Sequence, residues 1–348
     1  MQAKNSSVKL LSWYDKNHRV LPFRLTKDPY KIWVSEIMLQ QTQIKTVIPY
    51  YNKWIKTFPT LIDVAKSNIS ILLKNWEGLG YYSRCINFHK SAKIVLDKYH
   101  GTIPQNWEKF ISLPGVGEYT ASAVLSIAFG HKIPAIDGNV RRVLSRYLGI
   151  KKITSRNFQR IKNKLQFWIS SSRPGDFNQA LMDLGSIICS PKKPNCNKCP
   201  INNSCKAYLI GEPEKYPIKL IKKKIPDFKV AVGLIWRQNK FFIQKRKINS
   251  MLGGLWEFPG GKVKNGESLI QALKNKIKEE CGSEIMVIEE IGIIKHKYSH
   301  FSITMHGFNC KEISPGFNTN KEFRWINLDE VKQFAFPKAN HKLFSILK

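Results

Sequence analysis

The sequence predicts a two-domain chain, an all-α N-terminal domain followed by an α+β C-terminal one. Three observations carry this. Up to residue 211 the apolar residues recur at helical spacing between short Gly/Pro loops. Residues 212–226 (EPEKYPIKLIKKKIP) hold three prolines and five lysines and read as a linker. From residue 227 onward, short apolar runs take over, some with the period of two that a half-buried strand shows. A length of 348 residues suits two domains, and 43% apolar with 11% aromatic residues is enough to build two cores.

In the first domain, Ile44, Val47, Ile48, Tyr51 and Ile55 form a helix stripe that Pro49 should kink. Glu118–Phe129 is small and apolar enough for a buried helix, with Gly130 as its stop. Residues 140–148 read as another helix. In the second domain, 229–236, 241–245 and 301–308 read as strands and 267–280 as a helix. In the last strand Phe301, Ile303 and Met305 alternate with Ser302, Thr304 and His306.

Fifty-seven Lys and Arg against 25 Asp and Glu leave +32, which makes a polyanion the expected partner. Part of that excess belongs to a Lys-, Ile- and Asn-heavy composition. No stretch is apolar for long enough to span a bilayer, and the opening MQAKNSSVKLLSWYDKNHR lacks the hydrophobic centre of a secretory signal. Seven cysteines, four of them between 189 and 205, suit a reducing compartment and not a disulfide framework. The expectation is a cytoplasmic protein.

Those four, Cys189, Cys196, Cys199 and Cys205, have the spacing C-x6-C-x2-C-x5-C. Four thiolates on a short loop suit an iron–sulfur cluster. Tetrahedral zinc is the rival, although only Cys196 and Cys199 form the short pair zinc sites favour. Lys192, Lys193, Lys198 and Lys206 make the same loop basic.

Leu113-Pro114-Gly115-Val116-Gly117 lies between two helical segments. Glycines permit a tight turn and a close approach, and the N–H groups opening the next helix point at an anion such as a phosphate. A plain helix connection explains the motif equally well. Asp137 follows twenty residues after Gly117, within PAIDGNV, where it serves as a helix cap or as a functional carboxylate.

Taken together these motifs resemble the helix–hairpin–helix superfamily of base-excision DNA glycosylases, with its terminal iron–sulfur loop. The runs WVSEIMLQQTQ (33–43) and GLGYY (78–82) narrow the resemblance to its adenine-specific MutY family. It covers nearly the whole chain. It implies three parts: a glycosylase domain at 1–211 with one [4Fe-4S] cluster in 189–205, a linker at 212–226, and a Nudix-like domain at 227–348. It also implies a monomer acting on double-stranded DNA with adenine mispaired to 8-oxoguanine or guanine, held at the bacterial nucleoid through that DNA.

Hydrolysis of an N-glycosidic bond needs a proton for the leaving base and an anion for the cationic sugar. Glu36 lies among Trp33, Val34, Ile37 and Met38, a setting that raises a carboxyl pKa. Asp137, beside a glycine and helix N–H groups, should stay charged. By resemblance Glu36 is the general acid and base, Asp137 stabilises or transiently bonds the sugar, and Asn139 helps Asp137. Without the resemblance, Glu36 reads as an acid complementing a helix N-terminus.

Strand-nicking relatives carry a lysine at the position of Tyr119. A tyrosine forms no imine, so little or no lyase activity is expected, with Tyr119 near the reacting centre. The resemblance also makes Gln41 and Tyr81 wedges in the helix, Arg24 and Gln179 readers of the adenine, and Gly115, Val116 and Gly117 the phosphate grip. Phe23 stands where many relatives have tryptophan.

In the second domain Gly261, Glu267 and Lys278-Glu279-Glu280-Cys281-Gly282 resemble a Nudix box, but Asn275-Lys276 replaces its Arg-Glu pair. A cation at a metal-ligand position repels magnesium, so the domain reads as a binding module. Within His296–Phe301, Ser299 and His300 are candidate readers of 8-oxoguanine, with Tyr298 supporting them; a plain polar hairpin is the alternative. Three rivals frame the reading: an endonuclease III-like pyrimidine-lesion enzyme, a nucleotide pyrophosphatase with a DNA-binding appendage, and a silent lesion binder.

Overall fold

The computed structural model describes residues 2–218, 225–313 and 316–347. The chain divides into two compact units. The first comprises residues 1–66 and 87–221, the second 67–86 and 222–348. The first is helical throughout its described residues.

Local chemistry sets the helix ends near the site. Asp28 caps Pro29–Leu39 by accepting from the N–H groups of Tyr30 and Lys31, with Pro29 in the first turn. Glu118–Phe129 and Gly138–Leu148 both end at glycines in the left-handed region, Gly130 and Gly149. Ile44–Thr57 includes Pro49 in its interior. That proline lies on the exposed face, where water satisfies the carbonyl it leaves unpaired, while Val47, Tyr51 and Trp54 are buried on the other side. After Pro174–Asp183 the chain makes one π-helical turn, Leu184–Ile188, before the cysteine loop.

One core of the first unit buries Leu144, Ile161, Leu165, Phe177 and Leu184, with Cys189, Cys199 and Cys205 packed against it. Residues 212–218 are not a free tether. Arg146 Nε donates to the Tyr216 carbonyl at 3.0 Å, and the Ile218 N–H donates to the Lys151 carbonyl at 2.8 Å. The rest of the expected linker, 219–224, lies outside the described residues.

The second unit is a mixed seven-stranded sheet of order β3-β2-β1-β6-β5, with β4 also on β1 and β7 on β2. The strands are β1 Asp227–Arg237, β2 Lys240–Lys245, β3 Trp256–Glu257, β4 Gly260–Lys262, β5 Ile285–Lys297, β6 Ser302–Glu312 and β7 Phe323–Ile326. β1 and β6 run parallel, β5 and β6 antiparallel. One face packs on Leu273 and Ile277 of the Leu269–Cys281 helix, the other on Leu343 and Phe344 of the C-terminal helix. Ile303 and Met305 are buried and alternate with half-buried neighbours, as the pattern predicts.

Residues 67–86 join this unit through Glu77, which accepts from the Phe336 N–H at 2.7 Å, from His341 Nε2 at 2.6 Å and from Lys74 at 2.6 Å. Nothing in the sequence pattern marks that segment off from the helices around it.

Candidate active site

A cleft of about 930 Å³ opens in the first unit. It is lined by Arg24, Glu36, Gln41, Gly115, Gly117, Tyr119, Asp137, Asn139 and Gln179, so nine residues singled out from sequence meet there. Val116 does not; its side chain is buried beneath the glycine turn.

Glu36 lies in the second half of the Pro29–Leu39 helix, not at its N-terminus, so it does not complement the helix dipole. It is 6% exposed, and burial pushes its pKa up to about 7. Asp137 pushes the same way, while Arg24 and the Tyr119 hydroxyl, which donates to Glu36 Oε2 at 2.6 Å, oppose it. The Tyr119 phenol is itself held well above its usual value by burial, then by Glu36 and Asp137, and stays neutral.

Asp137 is both a cap and a cleft carboxylate. Oδ1 accepts from the Val140 N–H at 2.7 Å and Oδ2 from Asn139 Nδ2 at 2.9 Å. Burial raises its pKa from the ordinary value. Hydrogen bonds from Val140 and Asn139 and the charge of Arg142 pull back toward the carboxylate. Asn139 in turn accepts from Arg142 Nη2 at 2.9 Å. Gly185 permits this packing, since a Cβ there would meet Asn139 Cβ at 2.7 Å.

The hairpin before Glu118–Phe129 has Gly115 at φ +78°, where a Cβ would strike Asn87 Cβ at 2.8 Å, and Gly117 open to solvent. Gln41 and Tyr81 are both non-glycine residues with positive φ, 57° and 49°. Each of these backbone conformations costs on the order of 1 kcal/mol or more, a strain that concentrates at functional positions. Tyr81 belongs to the second unit, where its hydroxyl lies 2.5 Å from Ser299 Oγ and its ring covers the Arg84 guanidinium at 5.2 Å.

Ser299 and His300 are exposed at the turn between β5 and β6. Tyr298 is half-buried beneath them, stacked on Phe301 with centroids 4.7 Å apart and edge-on to His296 at 4.6 Å. In the Nudix-like segment, Lys276 contacts Glu279 at 3.0 Å and Glu280 at 3.6 Å. Lys321 reaches Glu280 at 2.8 Å and Glu257 at 3.8 Å, and Arg246 also pairs with Glu257. Ammonium and guanidinium groups already hold these carboxylates, which does not fit magnesium.

Among the described residues no three His, Cys, Asp or Glu side chains come close enough together to hold one metal ion. The four loop cysteines are accordingly not gathered into one set of ligands. Cys189 is tied to the fold by Arg146, whose Nη1 donates to its Sγ at 3.2 Å, and by Arg142, whose Nε donates to its carbonyl at 2.9 Å.

Sequence reasoning missed Arg19, Asp183, Arg142 and Gly185. A signal existed for Asp183. It lies four residues after Gln179 on the Pro174–Asp183 helix, hence on the same face.

Residues 34–168 match the HhH-GPD superfamily of base excision DNA repair proteins, and residues 231–345 match the NUDIX domain. The adenine DNA glycosylase of Buchnera aphidicola subsp. Acyrthosiphon pisum is 37% identical, aligned over 97% of this chain and 96% of its own length. This chain belongs to the adenine DNA glycosylase family. The family's human member is 32% identical over 97% of this chain and 73% of its own. Among solved structures, a thermostable thymine-DNA glycosylase superposes with a TM-score of 0.55 at 32% identity, covering 59% of this chain and 95% of that one. A trapped endonuclease III–DNA covalent intermediate shares the fold, with a TM-score of 0.53 at 22% identity over 61% of this chain and 98% of that one. No helix among the described residues is long and apolar enough to cross a membrane.

Proposed function

We propose that the cleft of the first unit removes adenine mispaired with 8-oxoguanine or guanine in duplex DNA. Hydrolytic release of adenine in base-excision repair is the activity of the family. What carries its assignment to these residues is one pairing: a buried Glu36 with a pKa of about 7, beside an Asp137 that accepts two hydrogen bonds.

The adenine leaves the base stack to enter the cleft, since its glycosidic bond is out of reach inside a duplex. Near neutral pH a large fraction of Glu36 is protonated, and it gives that proton to the departing base. As the bond lengthens, positive charge grows on the sugar. Asp137, with Asn139 and the Val140 N–H fixing its orientation, is the anion placed to meet it. Glu36, now a carboxylate steadied by the Tyr119 hydroxyl, takes the proton of the attacking water. With tyrosine at 119 the cleft has no amine there for an imine, so strand cleavage is little or absent.

Arg24 and Gln179 present donors and an amide to the edge of the base. Gln41 and Tyr81, both at positive φ, fill the vacated stack. Of the hairpin Gly115, Val116 and Gly117, the two glycines offer backbone N–H groups to a phosphate, while the Val116 N–H stays on the Leu113 carbonyl at 3.1 Å. Ser299 and His300 read the opposite base over the Tyr298 platform. The partner is double-stranded DNA bound by a monomer in the bacterial cytoplasm, with domains at 1–211 and 227–348.

Cys189, Cys196, Cys199 and Cys205 are the ligands of one [4Fe-4S] cluster, supported by their soft donor set and their spacing on one short loop. When bound, the cluster supplies a rigid centre that orders the basic loop. Visible absorbance and iron in the purified protein check this; stoichiometric zinc refutes it.

The test of the activity is single-turnover release of adenine from duplexes that differ only in the opposite base. Release opposite 8-oxoguanine and guanine, with none opposite thymine, is expected. Capture of a covalent adduct by borohydride would instead favour the lyase chemistry of a pyrimidine-lesion enzyme.

A further inference from the structure

Behind the cleft lies a charged layer that the proposed chemistry leaves without a role. Asp183 ends the Pro174–Asp183 helix, and its side chain is fully buried. Its carboxylate accepts from Arg19 through the backbone N–H at 3.3 Å, through Nε at 2.8 Å and through Nη2. It accepts from Arg24 through Nη1 at 2.5 Å and Nη2 at 2.9 Å. Both arginines line the cleft; Asp183 does not.

Two features make this more than packing. Arg24 meets Asp183 with both terminal nitrogens, which fixes the plane of its guanidinium as a single bond could not. Two guanidinium charges against one carboxylate also leave one positive charge over, in a cleft that contains Glu36. The titratable and charged groups that act on Glu36 are Tyr119, Asp137 and Arg24. Those around Arg24 are Asp183, Tyr14 and Glu36. Arg24 thus bonds Asp183, which Arg19 also bonds, and its charge also acts on Glu36. Left uncompensated, it would favour the Glu36 carboxylate and oppose its work as an acid.

We infer that Asp183 is a positioning residue for adenine excision: it sets the plane in which Arg24 meets the extruded base and offsets the paired arginine charge beside Glu36. Asp183 touches no substrate and acts through Arg19 and Arg24. The inference rests on the reading of the cleft as the adenine pocket with Glu36 as its acid.

The experiment is single-turnover excision by the full-length protein on an A:8-oxoguanine duplex from pH 5 to 9. Rate constants are normalised to the active fraction, so loss of folded protein is not mistaken for loss of chemistry. Asp183→Asn keeps the shape and removes the charge. Its rate constant at pH 7 should fall about 10–100-fold, the scale of a misplaced contact group. Its alkaline limb should also move to lower pH, because the uncompensated cation favours the Glu36 carboxylate. Asp183→Glu restores the charge and should return the limb toward its wild-type position.

Arg19→Gln makes the opposite prediction. Removing one cation lets Asp183 neutralise Arg24, and the limb moves to higher pH. That variant carries the test if Asp183→Asn does not fold. A loss confined to active fraction or melting temperature, with rate constant and limb unmoved, overturns the inference. A Glu36→Gln control separates the two levels. If it excises normally the underlying reading fails; if it is inactive while Asp183→Asn and Arg19→Gln keep the wild-type profile, only the role of Asp183 fails.

Discussion

Glu36 in the first unit is buried and Glu257 in the second half-buried, and removal from water raises the pKa of both. Their surroundings differ in kind. Glu36 faces a phenol, a second carboxylate and one arginine already bound to Asp183. Glu257 faces Arg246 and Lys321, with Lys321 and Lys276 also on Glu280. Burial alone makes a carboxyl costly. It becomes an acid when no dedicated cation fixes its charged form, and a structural ion pair when one does.

The strongest test of that contrast is a matched pair of substitutions. Glu36→Gln should lower single-turnover excision by about 10²–10⁴-fold, the range of a lost general acid, while duplex affinity changes little. Glu257→Gln should leave the rate per active molecule at the wild-type level. Equal losses from both would erase the distinction.

Stability sharpens it next. The folded protein holds a proton on Glu36 up to about pH 7, whereas the unfolded chain releases it near the ordinary 4.5. In that window the folded state binds the extra proton, so stability falls as pH rises and the loss is complete above about 7. Glu36→Gln should therefore be more stable than wild type at pH 8 by about 3 kcal/mol, and no more stable at pH 4. Denaturant melts at the two pH values decide this.

A smaller effect is expected from Tyr119→Phe. Removing a hydroxyl that favours the Glu36 carboxylate raises the pKa further, so the alkaline limb of excision moves to higher pH by roughly one unit. The pH profile reads it directly; a limb moving the other way would mean that the hydroxyl holds the proton in place. The smallest effect belongs to Lys276→Glu. With Lys321 still on Glu257 and Glu280, manganese should bind only in the millimolar range, detectable by electron paramagnetic resonance and without pyrophosphatase activity.

Much of this was legible in the chain. The helix Glu118–Phe129 with its Gly130 stop, the carboxyl at 36 in an apolar run and the aspartate at 137 are local patterns, and the structure keeps them. Periodicity located the apolar face of Ile44–Thr57 but does not say that Pro49 lies opposite it. β5 was missed since its exposed and buried residues do not alternate, and two register shifts interrupt its pairing with β6. Residues 67–86 read as part of the first domain because their allegiance is set by Glu77 and by partners more than 250 positions away. Arg19 was missed because an ion pair across 164 residues leaves no periodic trace, whereas Asp183 shares a helix face with Gln179 and could have been found.

Arg142 bonds Asn139, the Gly185 carbonyl and the Cys189 carbonyl at once, and Asn139 holds Asp137. Through that one guanidinium, the cysteine loop acts as a buttress for the proposed catalytic carboxylate far upstream. Unravelling the loop by oxidation or loss of its ligands would then dull the enzyme without altering any group that meets DNA chemistry, and supplementing substrate would not compensate.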